Sequence, residues 1–280
     1  MRKTHNSAPL PFQGQKRNFV KDFKVALKTY PNDAVYVDLF GGSGLLSHVV
    51  KQEKPNAKVI YNDYDNFKKR LEAIPTTNEI IAKIRPILND IPKKGKIPPL
   101  IKNKVLKLIK SYENQGYVDF ITLSSSILFS MKYVITFKEL EKETFYNNLK
   151  KNEYNAGNYL EGVEFTKSDY KTLFERYKNL SNVVFLVDPP YLSTDCKTYK
   201  NYWKLSDYLD VLKVLIDTKY FYFTSDKSSI IELCEWVESN TGGLNPFNNA
   251  KIKYHYTVVT KKSGYKDVML YKGYNTTKTF

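Results

Sequence analysis

The chain has 280 residues and a mass of 32.6 kDa, a length that suits one large domain or two smaller ones. Hydrophobic residues make up 42% of it, enough for a buried core, yet no apolar run approaches the ~20 residues of a membrane span. The polar residues 1–11 lack a secretion signal, so we expect a cytoplasmic protein that does not act at a membrane. The cysteines and histidines have no metal-ligand spacing, so we expect no metal site.

The net charge of +15 indicates a polyanionic partner, with nucleic acid ahead of an anionic membrane. Aromatic residues reach 15% and include 23 tyrosines, which suits a surface that binds phosphates and stacks on bases. An AT-rich genome would enrich lysine, asparagine and tyrosine in the same way. Composition alone therefore leaves both explanations open.

The first predicted elements form the first half of a nucleotide-binding crossover. Residues 18–30 have helical spacing, and residues 34–40 form a buried strand that runs into the glycine turn Gly41–Gly44. A helical pattern follows from Leu45, and the next strand, residues 57–61, leads to Asp63. Glycines let a backbone approach a ligand closely, and an acid after the second strand is placed to bind a ribose diol. Together these features predict a cofactor that contains a nucleoside.

Residues 67–162 have a helical pattern that several prolines interrupt, and we interpret them as an insertion that contacts nucleic acid. Residues 91–110 contain seven lysines and no acidic residue, and apolar residues alternate with the later lysines as in a basic amphipathic helix. A charge run is usually a solvated face, but a run without any acid is less usual. The candidate DNA-contacting residues are Lys93, Lys94, Lys96, Lys102, Lys104 and Lys107.

The sheet pattern resumes at residues 163–165 and leads to Ser168-Asp169-Tyr170. The carboxylate of Asp169 either lies at a strand tip or caps the helix that follows, and the sequence leaves both interpretations open. Beyond the central strand described next, residues 191–202 form a polar loop that we expect to close over the site. A helix to Ile216, a strand, another helix and a closing antiparallel hairpin complete the chain.

A buried strand of β-branched and aromatic residues ends at Asp188-Pro189-Pro190-Tyr191. Proline has no N–H for a sheet ladder, so this sequence predicts a stiff loop at the carboxyl end of a strand, where open α/β sheets bind ligands. The Asp188 carboxylate and the Pro189 carbonyl can accept both hydrogens of a planar amine, which frees the nitrogen lone pair for attack. Tyr191 offers a face for stacking a base. The pattern favours alkylation of an exocyclic amine over a simple proline-rich turn.

Five motifs, in order, resemble those of the Dam-like adenine-specific DNA methyltransferases of the alpha group, and the likeness covers most of the chain. They are Phe12-Gln13-Gly14-Gln15-Lys16, Asp38-Leu39-Phe40-Gly41-Gly42-Ser43-Gly44, Asn62-Asp63, Ser168-Asp169-Tyr170 and Asp188-Pro189-Pro190-Tyr191. The resemblance implies a Rossmann-like class I methyltransferase sheet with a terminal antiparallel hairpin. It further implies that residues 1–66 and 163–280 form the catalytic domain and that residues 67–162 form an inserted, mainly helical target-recognition region.

The resemblance also implies that the methyl group of S-adenosylmethionine passes to the N6 amine of an adenine flipped out of double-stranded DNA. The catalytic motif is Asp188, Pro189, Pro190 and Tyr191. The implied cofactor contacts are Phe12, Gln13, Gly14, Lys16, Asp38, Phe40, Gly41, Gly42, Ser43, Gly44, Asp63, Ser168, Asp169 and Asp188. Phe12 stands where the family often has tryptophan, and residues 67–162 match no recognition signature, so the target sequence stays open.

Three alternatives remain at this point. A nicotinamide dehydrogenase would use the same glycine turn, but it gives Asp188-Pro189-Pro190-Tyr191 no role. A catalytically silent nucleic-acid-binding protein on the same scaffold would not need Asp188. An RNA methyltransferase or a cytosine methyltransferase is a closer variant, although the family usually has serine in place of Asp188 when cytosine is methylated. The oligomeric state is open between a monomer and a weak dimer.

Overall fold

The computed structural model describes residues 5–129, 132–192, 203–260 and 263–273. The loop that we expect to close over the site lies outside the described residues from residue 193 to residue 202. The chain separates into two compact units. We call them the insertion unit, which consists of Ala8–Gly14 and Asn66–Tyr159, and the sheet unit, which consists of residues 5–7, Gln15–Asp65 and the chain from Leu160 onward.

The sheet unit contains a seven-stranded sheet in the order β3-β2-β1-β4-β5-β7-β6. The strands are β1 Val35–Asp38, β2 Lys58–Asn62, β3 Glu164–Thr166, β4 Val183–Val187, β5 Tyr220–Ser225, β6 Lys251–Thr260 and β7 Ser263–Lys272. Strands β1 to β5 pair in parallel, whereas β7 runs antiparallel to both β5 and β6. The predicted fold, a Rossmann-like class I methyltransferase sheet that ends in an antiparallel hairpin, is confirmed.

Helices cover both faces of this sheet. Successive strand residues point to opposite sides, so both faces carry apolar side chains that the helices bury. On β5, Phe221 and Phe223 pack edge-on against Phe23 of helix α1. Tyr220 and Tyr222 face the other way, into a core shared with helices α8 to α10. Strand β4 is buried at all five positions, as expected for the centre of a parallel sheet. The helices of the sheet unit are α1 Val20–Leu27, α2 Leu45–Glu53, α8 Tyr170–Tyr177, α9 Leu205–Leu215 and α10 Ile230–Thr241.

The insertion unit is helical within its described residues. Its helices are α3 Phe67–Glu72, α4 Ile74–Ile87, α5 Pro99–Glu113, α6 Phe120–Ile127 and α7 Phe137–Glu141. Its core includes Ile80, Ile84, Val105, Ile109 and Leu123, all with no exposed surface. The basic helix α5 begins only at Pro99, because Pro98 is extended and a proline is well suited to the first helical turn. None of the described helices is both long enough and apolar enough to span a bilayer.

Candidate active site

The carboxyl ends of β1, β2 and β4 lie side by side, and Asn62 at the end of β2 fixes this edge. Its side-chain amide donates 2.9 Å hydrogen bonds to the carbonyls of Leu39 and Ser168. The Ser168 N–H donates in return to Asn62 Oδ1 over 3.0 Å. The bonds join the segment after β1 to the segment that leads into α8. Asn62 is 1% exposed, so it is a structural organiser, a role that its motif alone did not predict.

The glycine turn between β1 and α2 lies tightly against β2. A Cβ atom on Gly41 would lie 2.2 Å from the Tyr61 ring and 2.6 Å from the Asn62 carbonyl oxygen, so no side chain fits there. Gly42 and Gly44 have φ angles of 50° and 72°, in the left-handed region that favours glycine. The Gly44 N–H closes the turn on the Gly41 carbonyl over 2.7 Å. This backbone therefore approaches its surroundings more closely than any other residue type would permit.

Asp63 lies next to this turn because Tyr61 joins them. The Tyr61 hydroxyl is 2.8 Å from the Gly42 carbonyl oxygen and 3.0 Å from Asp63 Oδ1, so one hydroxyl hydrogen lies between two acceptors. The Asp63 N–H donates to the Thr166 carbonyl over 2.8 Å, which continues the β2–β3 pairing. The half-buried Asp63 carboxylate thus stands beside the glycine turn, the arrangement expected of a ribose-binding acid.

Asp38, the last residue of β1, is almost fully buried at 1% exposure. Ser47 of α2 donates a 2.7 Å hydrogen bond to its Oδ2, whereas Oδ1 is buried without a hydrogen-bond partner among the described residues. Burial is the main cause that raises the pKa of Asp38 to about 7; the Ser47 hydroxyl opposes this rise, and the charge of Asp188 adds to it. Ser47 could not be predicted as a site residue, because its contact with Asp38 depends on how α2 packs.

Asp188 follows β4 and forms an ion pair with Lys16. Lys16 Nζ is 2.7 Å from Asp188 Oδ2, and the two side chains are 9% and 18% exposed. The other carboxylate oxygen, Oδ1, is buried and accepts no hydrogen bond from the residues that the structure describes. Burial raises the pKa of Asp188, and the Lys16 ammonium counteracts that effect. One oxygen is neutralised by a cation, and the carboxylate retains acceptor capacity for a further donor.

The other residues of the predicted catalytic motif surround this ion pair. Pro189 is buried and Pro190 is half-buried. The Tyr191 ring lies with its centroid 5.2 Å from Lys16 Nζ, within the range of a cation–π contact. The Tyr208 hydroxyl of α9 is 3.4 Å from the Tyr191 carbonyl oxygen. The cation, the carboxylate and the aromatic ring therefore form one cluster at the end of β4.

Other predicted cofactor residues of the sheet unit occupy the same edge. The Phe40 ring lies 4.8 Å from the Tyr170 ring and 5.9 Å from the Trp203 ring, as measured between centroids. Ser43 is buried in the glycine turn. Asp169 is exposed, and its carboxylate accepts the Lys171 N–H over 2.9 Å as the N-cap of α8. The structure thus assigns Asp169 the helix-capping role that the sequence had left open.

Phe12, Gln13 and Gly14 belong to the insertion unit, whereas Lys16 of the same motif belongs to the sheet unit. The Phe12 ring packs edge-to-face on Phe67 of α3, with centroids 5.7 Å apart. Gln13 and Gly14 are exposed, and Gly14 has a φ of 81° with open space where a Cβ would stand. Glycine is therefore favoured at position 14 by the backbone conformation, since a larger side chain would have space there.

The predicted DNA-contacting lysines differ in their surroundings. Lys104 and Lys107 are exposed on α5, and Lys102 is half-buried because its ammonium donates to the Glu141 carbonyl over 2.6 Å. We refer to Lys102, Lys104 and Lys107 as the α5 lysines. Lys94 and Lys96 are exposed in the loop before α5. Lys93 is exposed as well, and its ammonium donates to the carbonyl of Leu149, which restrains its side chain.

Comparisons with known proteins agree with this arrangement of residues. The family model of the D12 class N6 adenine-specific DNA methyltransferases matches residues 12–220. A Haemophilus influenzae protein that is provisionally named a methyltransferase is 37% identical over an alignment 280 positions long. The alignment covers 97% of this chain and 94% of that protein.

Solved structures with similarity to the chain include two other methyltransferases. One is a precorrin-6y C5,15-methyltransferase from Geobacter metallireducens, with 9% identity, a TM-score of 0.36, and coverage of 97% of this chain and 100% of that one. The other is an rRNA methylase from Streptococcus thermophilus, with 11% identity, a TM-score of 0.33, and coverage of 90% and 93%. Scores this low carry no argument, and the assignment rests on the family model and the bacterial relative.

Proposed function

Because the chain belongs to the D12 class of N6 adenine-specific DNA methyltransferases and therefore methylates adenine in DNA, we propose that S-adenosylmethionine is its methyl donor and that its substrate is an adenine flipped out of duplex DNA. A stacked base cannot present its amine to a donor inside the protein, and unstacking it costs roughly a few kcal/mol. The observation that carries the proposal is the Asp188 carboxylate, which follows the central strand and retains acceptor capacity beside Lys16.

Two observations in the sheet unit support the donor. Gly41 packs so closely on β2 that no Cβ fits, so the connection between β1 and α2 has the tight glycine turn typical of a nucleotide-binding crossover. Asp38 has a buried oxygen without a partner among the described residues, and an ammonium group of a ligand would satisfy it. Asp63, next to the turn, would accept the ribose hydroxyls. Phe12, Gln13, Gly14, Lys16, Phe40, Gly42, Ser43, Gly44, Ser168 and Asp169 remain proposed donor contacts on the strength of the family resemblance.

When bound, S-adenosylmethionine would supply an electrophilic methyl group: the sulfonium would leave as a neutral thioether, and the methylated amine would release one proton to solvent. The residues of this chain hold the acceptor in line with it. The Asp188 carboxylate and the Pro189 carbonyl accept the two N–H groups of the adenine amine, which localises the lone pair on the nitrogen. Tyr191 stacks against the base, a contact worth ~1–3 kcal/mol. Positioning of this kind accounts for most of the catalysis, because the protein takes no covalent part in the transfer.

We propose that the insertion unit binds the duplex. The lysines in and before α5 supply cations for the DNA phosphates. Lys94, Lys96, Lys104 and Lys107 are exposed, whereas Lys93 and Lys102 each donate to a backbone carbonyl within the unit. Phosphate contacts position a protein without reading sequence, so the target site depends on other residues of the unit.

Methyl transfer from labelled S-adenosylmethionine to unmethylated duplex DNA tests the proposal, with the product nucleosides separated. We expect label in N6-methyladenine and none after the Asp188→Ala substitution. A matched RNA duplex serves as a second acceptor. Label in RNA alone, or no label with wild-type protein that binds the donor, would contradict the proposal. Sequencing the methylated DNA would then give the recognition site.

A further inference from the structure

A buried charged network in the insertion unit has no part in the chemistry described above. Arg70 of α3 and Asp119, the N-cap of α6, have side chains that are only 5% and 1% exposed. Arg70 Nε is 3.1 Å from both carboxylate oxygens of Asp119. Thr122 completes the network, because its N–H donates to Asp119 Oδ1 over 3.1 Å and its hydroxyl donates to Oδ2 over 2.5 Å.

The same guanidinium also holds the N-terminal segment Ala8–Gly14, which belongs to this unit. Arg70 Nη2 donates to the Pro11 carbonyl over 2.8 Å and to the Thr122 hydroxyl oxygen over 3.1 Å. The next residue, Phe12, packs its ring against Phe67, one helical turn before Arg70. The Arg70 guanidinium itself lies 5.2 Å from the Phe67 ring centroid. Two neighbouring side chains of α3 therefore fix the backbone at Pro11 and the ring at Phe12.

The choice of arginine indicates a role in geometry and not in stability alone. A buried ion pair contributes little net stability, because apolar residues of equal volume are often as stable or more so. A guanidinium, however, presents several donors in a rigid plane, and Arg70 uses that plane to reach Asp119 and Pro11 together. A lysine ammonium is a point donor on a flexible stem and cannot hold both acceptors in this arrangement. Without the guanidinium, the Pro11 carbonyl loses this donor, and the segment is attached to α3 by the Phe12–Phe67 contact alone.

We propose that Arg70 is a positioning residue for the methyl donor and acts through Pro11 and Phe12. The inference rests on the proposed function, in which Phe12, Gln13 and Gly14 contact S-adenosylmethionine. Gln13 and Gly14 are exposed and follow directly after the two residues that α3 holds. Fixing Pro11 and Phe12 therefore sets where the exposed part of the motif is presented. Without that anchor, donor binding must order the segment and is weaker as a result.

The test compares Arg70→Lys with Thr122→Val in the full-length protein. Arg70→Lys keeps a cation for Asp119 and loses the Pro11 contact, so we expect the Kd for S-adenosylmethionine and for its demethylated product to rise about tenfold by titration calorimetry. Thr122→Val removes a hydroxyl from the same network but no contact to Pro11, so we expect a lower Tm and an unchanged Kd. With saturating donor, kcat of both variants is expected to stay near the wild-type value.

A wild-type donor Kd in Arg70→Lys would overturn the inference, and so would an equal rise in both variants, since general loosening of the unit would then be the cause. Should Arg70→Lys not fold, Phe67→Leu removes the ring contact of Phe12 while keeping the Arg70–Asp119 pair. A raised Kd is expected there, and a wild-type Kd would contradict the inference. Wild-type protein that does not bind S-adenosylmethionine would instead refute the proposed function.

Discussion

The Asp188→Asn substitution isolates the charge of the carboxylate that we propose to be catalytic. Asparagine has the same size and keeps one carbonyl oxygen as an acceptor, but it carries no negative charge and presents an NH2 group in place of the second oxygen. The cavity at the end of β4 stays filled, so the variant differs from Asp188→Ala in leaving the packing intact. What is lost is the charged acceptor for the adenine amine, together with the 2.7 Å ion pair to Lys16.

The expected magnitude follows from the position of this group. Asp188 is 18% exposed and, in the proposed mechanism, accepts from the amine on which charge develops in the transition state. Removing one preorganised group of this kind typically lowers kcat about 10²- to 10³-fold, or roughly 2.7–4 kcal/mol. The lost pair with Lys16 costs about 1–2 kcal/mol of folding free energy after allowance for solvent screening. That corresponds to a decrease in Tm of roughly 2–8 °C.

A single-turnover assay with labelled S-adenosylmethionine and duplex DNA measures the chemical step, and calorimetry measures donor binding in parallel. Asp226→Asn, an exposed acid after the neighbouring strand β5, is the matched control and is expected to behave as wild type. We expect the donor Kd of Asp188→Asn to stay within about threefold of wild type. A transfer rate within tenfold of wild type would refute the assigned role of Asp188.

Three further changes test other parts of the site. Because burial holds the pKa of Asp38 near 7, the protonated carboxyl dominates below that value, and affinity for the cationic donor is expected to rise about fivefold from pH 6 to pH 7, below the range in which the donor's own ammonium group loses its proton. Calorimetry should show that rise in wild type and a flat profile in Asp38→Asn. Gly41→Ala places a methyl group 2.2 Å from the Tyr61 ring and is expected to cost ~1–3 kcal/mol in thermal unfolding, whereas Gly116→Ala, in open space, should be neutral. Neutralising the α5 lysines together is expected to flatten the salt dependence of DNA binding, since each phosphate contact contributes a slope of roughly −0.9, and an unchanged slope would exclude α5 from the interface.

Much of the sheet unit could be predicted because its determinants are local. The buried run before Asp188, the glycines of the turn and the paired prolines each restrict the backbone over a few residues. Their order along the chain then fixes a parallel sheet whose carboxyl ends carry the polar groups. The family resemblance, which rests on the five motifs and their order along the chain, was sufficient to predict the rest of the fold.

Contacts between distant residues could not be predicted in this way. Lys16 reaches Asp188 across 172 positions of sequence, and Ser47 reaches Asp38 only through the packing of α2. No periodicity encodes such pairs, because they depend on how whole elements assemble. Residues 91–110 form one continuous basic run in the sequence, yet proline geometry divides it into a loop and a helix. The charge pattern alone does not distinguish these environments.

The position of the insertion unit between β2 and β3 has a consequence for how such enzymes diversify. These two parallel strands are neighbours at one end of the sheet, so the insertion forms part of the crossover connection between them. Lengthening a loop severalfold costs only ~1–2 kcal/mol of closure entropy. The insertion can therefore be exchanged during evolution without changing the strands of the sheet. The insertion unit is nevertheless discontinuous in sequence, because Ala8–Gly14 packs with the inserted residues through Arg70. A chimaera that transplants residues 66–159 must carry residues 8–14 from the same parent, or Pro11 and Phe12 lose the partners for which they were selected.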